Sequence, residues 1–343
     1  MNRNEIINKS IWTITDLYPD SAKDMVVLED PDSPGTTIAL PVVYMPIYDN
    51  TMVVEDDPQF VYQLPPILRD HYEELKQVHR TSSVYNNINI RVNGWRRKGG
   101  LFYIRTGRTS YFDTLVTNRV MDCEFGEGWT VRRLFEPGPS IHPLETSNLS
   151  NHLGVNGFIE SQDHYLCFVF RSQSVSVGKQ VWGCGVSGSL KTKYSLINGR
   201  FTEKGLLNGI VSEIMDELNV TSSVLSVENE QPVRLLFAYR DLIEGGKPHL
   251  FFYAKCTMTK EKMNCSFFEK EQSLAANNHA DIAVKMSTDG RELLWVRRDD
   301  VENPKLFRLY PDRFSIGKQD YFTSPSIAAC IQMMRMYLRA QKL

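Results

Sequence analysis

The chain lacks most of the features that would place it in a class at sight. Its six cysteines (Cys123, Cys167, Cys184, Cys256, Cys265 and Cys330) form no Cys-x-x-Cys pair and no zinc-finger spacing, which removes a structural zinc site of that kind. Four of them fall in apolar segments where cysteine acts as a small hydrophobe, so a reducing compartment and a cytoplasmic location are expected. No run approaches the length of a membrane span, and Met1–Ser10 has no apolar core, so neither a membrane anchor nor a secretory signal is expected. Charge of one sign is missing too. With 39 basic against 41 acidic residues there is no basic field to argue for nucleic acid. Gly107-Arg108-Thr109-Ser110 lacks the spacing and lysine of a phosphate loop, and Gly185-Val186-Ser187-Gly188 is one residue short of a nucleophile elbow. His142, His152 and His164 are not at metal-ligand spacing and read as satisfied or exposed histidines. Repeats and low-complexity tracts are absent.

What is present is Ser212–Val220, Ser-Glu-Ile-Met-Asp-Glu-Leu-Asn-Val. On a helix, Glu213, Asp216 and Glu217 fall at i, i+3 and i+4 and share one face. Three like charges repel one another unless a cation sits among them, and carboxylate oxygens suit magnesium or manganese. Leu207, Val211, Ile214 and Leu218 are expected to form the buried stripe opposite. Thr202 is a natural N-cap, and Asn219 tolerates the left-handed conformation that ends a helix. A triplet of acids also arises on solvated helix faces, so its surroundings carry weight.

Upstream, Asp163–Phe170 is β-rich, and Val181–Ser189 sets three glycines around Trp182, a sign of close backbone approach. Strand, glycine turn, loop, acidic helix, left-handed cap and strand together resemble the core of the Nudix hydrolases. The signature of that family is Gly, five residues, Glu, seven residues, then Arg-Glu-aliphatic-x-Glu-Glu-x-Gly-aliphatic. Glu213, Asp216 and Glu217 match its three metal-binding acids, and Ile214 and Val220 its aliphatic positions. Ser212 stands where the family has arginine, and Asn219 where it has glycine. Lys204 occupies the upstream glutamate position, with Glu203 beside it. The signature's first glycine falls on Asn198, next to Gly199, or on Gly188 with a lengthened loop. The Gly188 alignment is preferred because Trp182–Gly188 looks like the family's strand-end turn.

The resemblance implies a mixed sheet between helices, an α-β-α sandwich of α+β class. It also implies a metal-dependent hydrolase that cleaves a diphosphate linkage in a nucleoside diphosphate derivative. Glu213, Asp216 and Glu217 would hold Mg2+ or Mn2+. Ser187 and Gly188 would line the cofactor through the turn. Glu203 or Glu244 would accept the water proton. Ser212 and Lys204 favour an alternative, a Nudix-like nucleotide sensor without catalysis, in which Lys204 reaches toward the acids in place of a cation. A third alternative is isomerisation of an isoprenoid diphosphate, for which Cys184 would be the residue to suspect.

The Nudix-like domain is expected over residues 146–343. Its strands are read at Asn151–Glu160, with Leu166–Arg171 as its hairpin partner, and at Val233–Tyr239 and His249–Lys255, with a further pair at Ala283–Met286 and Leu293–Val296. A final helix from Pro325 to Ala340 would bury Ile327, Ile331, Met334 and Leu338. Residues 1–145 read as an accessory α+β domain, split off near Pro137–Pro143. It is expected to contain a helix at Ile67–Val78 and strands at Asn89–Arg97 and Gly100–Arg105. Binding substrate, packing on the core and forming a homodimer are all roles open to it. Its Trp95, Arg96, Arg97, Tyr103, Arg105, Arg108 and Tyr111 would suit a base and phosphates, or form ordinary core and surface.

Overall fold

The computed structural model describes residues 14–80, 82, 85–171, 180–227, 231–276 and 290–342. The first five strands are β1 (Met25–Glu29), β2 (Thr37–Pro46), β3 (Thr51–Val61), β4 (Ile88–Lys98) and β5 (Leu101–Ser110). Then come β6 (Gly154–Glu160), β7 (Tyr165–Arg171), β8 (Trp182–Cys184), β9 (Val186–Ser189), β10 (Leu196–Ile197) and β11 (Arg200–Phe201). After the acidic helix (Glu203–Leu218) follow β12 (Arg234–Asp241), β13 (Lys247–Lys255), a helix at Lys260–Ala276 and β14 (Gly290–Arg297). Three short strands, β15 (Phe307–Leu309), β16 (Arg313–Ile316) and β17 (Gln319–Phe322), lead to the closing helix, Pro325–Ala340.

The main sheet has nine strands in the order β1-β2-β12-β13-β6-β7-β14, with β9 added on β6 and β8 on β7. It is mixed, because β13 runs parallel to β6 from the His249/Gly154 pair to Lys255/Glu160, whereas β12 and β13 are antiparallel. Side-chain alternation puts a layer on each face. Along β13, Leu250, Phe252 and Ala254 enter one hydrophobic cluster and Phe251 and Tyr253 the other. The acidic helix covers the first face and the closing helix the second, the latter through Ala328, Ile331, Met334 and Leu338. The small sheet β3-β5-β4 adds Met52, Ile90, Val92, Phe102 and Ile104 to the acidic-helix side.

Several expectations shift in detail. The strands expected at Asn89–Arg97 and Gly100–Arg105 are β4 and β5. The Ile67–Val78 helix is two short helices, Pro66–Asp70 and Tyr72–Gln77, broken at His71. Strands β6 and β7 share only the pair Glu160/Leu166; beyond it they separate, and β9 and β8 take their places as partners. Leu293–Val296 belongs to β14, which pairs with β7, while Ala283–Met286 lies outside the described residues. The position proposed as a domain boundary, near residue 145, is crossed by hydrogen bonds. β2, from the first half, pairs with β12 from Phe237/Pro46 to Asp241/Val42. No described helix is long and apolar enough to cross a membrane.

Candidate functional site

The acidic helix begins and ends where its caps require. The Thr202 hydroxyl accepts from the Gly205 N–H at 3.1 Å, and Asn219 ends the helix at φ 53°. Its fully buried stripe is Leu206, Ile210, Ile214 and Leu218, each contributing about 2 kcal/mol of hydrophobic burial. Leu207 and Val211, expected in that stripe, are only half-buried. The helix is therefore rotated so that Glu213 turns inward against the sheet.

Glu213 has room there because of Gly188. A Cβ at position 188 would lie 2.5 Å from Glu213 Oε2. Gly188 pairs with Val155 of β6, and Val155 points into the acidic-helix cluster. One turn further on, Glu217 Oε2 accepts the Ser187 N–H at 3.0 Å. Ser187 thus meets the acids through its backbone, while its hydroxyl takes a hydrogen bond from Arg171. Asp216 is exposed, and its carbonyl accepts from Lys270. Strand β9 and the helix therefore bring Glu213, Glu217, Ser187 and Gly188 together, with Asp216 at the rim.

A cation is already present in this cluster, and it is not Lys204. Lys191, just after β9, places Nζ 3.0 Å from Glu213 Oε1. Burial pushes the Lys191 ammonium toward losing its proton, but Glu213, and behind it Asp216 and Glu217, outweigh this and hold its pKa above the ordinary value. Lys204 is exposed, nine residues from Glu213 on the helix, roughly 14 Å along its axis. Glu203 stands roughly 15 Å away by the same rise. It accepts from Gln231 at 3.4 Å and lines a separate cavity of about 440 Å3 with Tyr48, Arg234, Tyr253 and Lys255.

A second charged group, not anticipated from the sequence, lies at the β12–β13 turn. Donor atoms of Asp241, Glu244 and His249 come within 4.8 Å of one another, all buried. Glu244 is ion-paired to Arg119 and lies 3.4 Å from Lys247 Nζ. Burial works to raise the Glu244 pKa, but Arg119 and Lys247 hold it well below the carboxylate range. Two acids face two bases, so the group is neutral without an ion and Glu244 is tied up as a charge partner. Cys184 lies on the closing-helix side, and burial together with the neighbouring Cys330 thiol pushes its pKa well up, so it supplies no thiolate. His142 and His164 are held by Glu136 and Glu160, and His152 by the Ser189 hydroxyl.

No family model matches the chain, and no curated protein does. Among solved structures it is similar to DR0079 from Deinococcus radiodurans, at 19% identity and a TM-score of 0.23 over 32% of this chain and 57% of that one. It is also similar to Tm1382, a protein proposed to be a Nudix hydrolase, at 10% identity and a TM-score of 0.27 over 44% of this chain and 61% of that one. The chain thus spans less than two thirds of either neighbour, and likenesses of this size do not assign it to a family.

Proposed function

We propose that the chain is a divalent-metal-dependent hydrolase of the Nudix type, acting on the diphosphate linkage of a nucleoside diphosphate derivative. The observation that supports this reading is the approach of Glu213 and Glu217 to β9, with Gly188 making room for Glu213 and the Ser187 N–H orienting Glu217, while Asp216 stands exposed at the rim of the same helix face. The donor set fits a hard cation such as Mg2+ or Mn2+, since all three side chains offer carboxylate oxygens and the cluster already draws an ammonium. When bound, the ion would offset the negative charge that develops on the diphosphate. Glu213, Asp216 and Glu217 would hold it. The Ser187 N–H fixes the Glu217 carboxylate, and Arg171 fixes the Ser187 side chain in turn. Lys191 supplies a positive charge at the same place. Glu203 is too far along the helix to act on the same bond. A nucleotide or nucleotide conjugate would be the partner, and a cytoplasmic setting suits the free thiols.

The test is release of nucleoside monophosphate or phosphate from a panel of nucleoside diphosphate derivatives with Mg2+. Turnover should fall by about a hundredfold or more in Glu217→Gln and in Asp216→Asn. Equal turnover in wild type and both variants would remove the acids from the chemistry. Lys191 favours a second reading, a metal-free diphosphate-binding protein in which its ammonium stands permanently for the ion. No turnover, with a panel compound raising the melting temperature of the metal-free protein, is the outcome that reading requires.

A further inference from the structure

Lys191 occupies a position that the metal-site reading does not explain by itself. Its backbone is held on both sides, bridged to Asn89 of β4 and leading into the short helix Thr192–Ser195. The side chain therefore reaches the acids from a fixed base rather than from a free loop. Its Nζ lies 3.0 Å from Oε1 of Glu213, a carboxylate only 8% exposed, and the lysine side chain is itself two-thirds covered. The Gly188 strand closes off the Oε2 side of the same carboxylate. A divalent ion ligated by Glu213 would have to lie against this ammonium, and like charges at contact distance exclude one another.

We propose that Lys191 is a resident cation of the acid cluster, so that a divalent ion reaches Glu213 only by displacing its ammonium. The proposal rests on the metal-site reading given above. In the metal-free protein the lysine balances acids that would otherwise repel one another, so the chain folds without an ion. The cost appears on metal binding, because the incoming ion must break a partly buried ion pair before it gains its ligand. Its longer-range attraction to Asp216 and Glu217 points the same way.

The test is Mn2+ binding to the metal-free full chain at fixed ionic strength, followed by electron paramagnetic resonance and by calorimetry. Lys191→Met should bind Mn2+ about tenfold or more tighter than wild type, the scale of one partly buried ion pair. Lys191→Arg, which keeps the charge, should show no such gain, and adding Glu213→Gln to Lys191→Met should abolish it. Lys191→Gln, which keeps a hydrogen-bonding group near Glu213, replaces the Met variant if that one does not fold. The proposal is overturned if the neutral variants bind Mn2+ no more tightly than wild type while wild-type binding is saturable and needs Glu213. Absence of Mn2+ binding in every one of these proteins would instead overturn the metal-site reading, and this proposal with it.

Discussion

Gly188 and Glu213 are a pair in which each limits the other. The helix turns Glu213 toward the sheet, and only the missing side chain at 188 lets the carboxylate lie there, since an added Cβ would be 2.7 Å from its Cδ. Gly188→Ala should cost on the order of 1–3 kcal/mol in denaturant unfolding and weaken Mn2+ binding, because Glu213 must swing away. A variant with wild-type stability and metal affinity would remove Gly188 from the site. At this scale the acids and the glycine are legible from spacing in the chain. The cation is not. Lys204 shares the helix with the acids and looks close in sequence, yet a rigid rise of 1.5 Å per residue keeps it away. Lys191 is brought in by the turn after β9, whose path depends on β6 and β4.

The acidic helix is positioned through its approach as well as its buried face. Asp56 of β3 accepts two hydrogen bonds from Arg108 of β5, at 2.7 and 2.8 Å, a third from Thr106, and the Phe201 N–H of β11 at 2.9 Å. Burial works against its ionised form, but these donors hold its pKa below the ordinary value. Asp56→Asn leaves Arg108 without its carboxylate. It should cost on the order of 3 kcal/mol in chemical unfolding and lower thermal stability. An unchanged midpoint would show that the tie between the small sheet and the helix is dispensable. The start and end of the helix were legible because caps are local. Its rotation was not, since Leu206 and Leu207 are equally apolar and only the packing surface selects between them. The separation of β6 from β7 was hidden for a similar reason: alternation marks a strand without naming its neighbour.

Across the whole molecule, one sheet gathers strands from both halves of the chain, and buried charge accumulates where β12 turns into β13. Burial, then the neighbouring Lys247, pushes the His249 pKa down to about 3, so the imidazole stays neutral in the fold. The unfolded chain takes up that proton below about pH 6.5. The stabilising contribution is thus fully present above pH 6.5 and is lost as the pH falls toward 3. Asp241, pushed up to about 6 by burial, works in the opposite sense as the pH falls between about 6 and 4. His249→Gln isolates the histidine. Between pH 7 and 5, wild type should lose on the order of 1–2 kcal/mol more stability than the variant, read from urea midpoints. Parallel pH profiles for the two would show that His249 does not govern this limb.

The sequence by itself determined the acidic helix with its caps, most strands of the main sheet, and the closing helix. All of these rest on local chemistry: side-chain periodicity, a hydroxyl before the first turn, an asparagine after the last. Helical spacing alone also puts Glu213, Asp216 and Glu217 on neighbouring positions of the acidic helix. Tertiary structure decided which way that helix turned, that Gly188 lies against Glu213, that Lys191 rather than Lys204 answers the charge, and that Glu203 belongs to another cavity. It also brought Arg119, 125 residues from Glu244 in the chain, to the turn that carries Asp241, Glu244 and Lys247, completing a neutral cluster. Such pairings depend on which strands become neighbours, and that choice is made by the burial of two whole faces of a sheet.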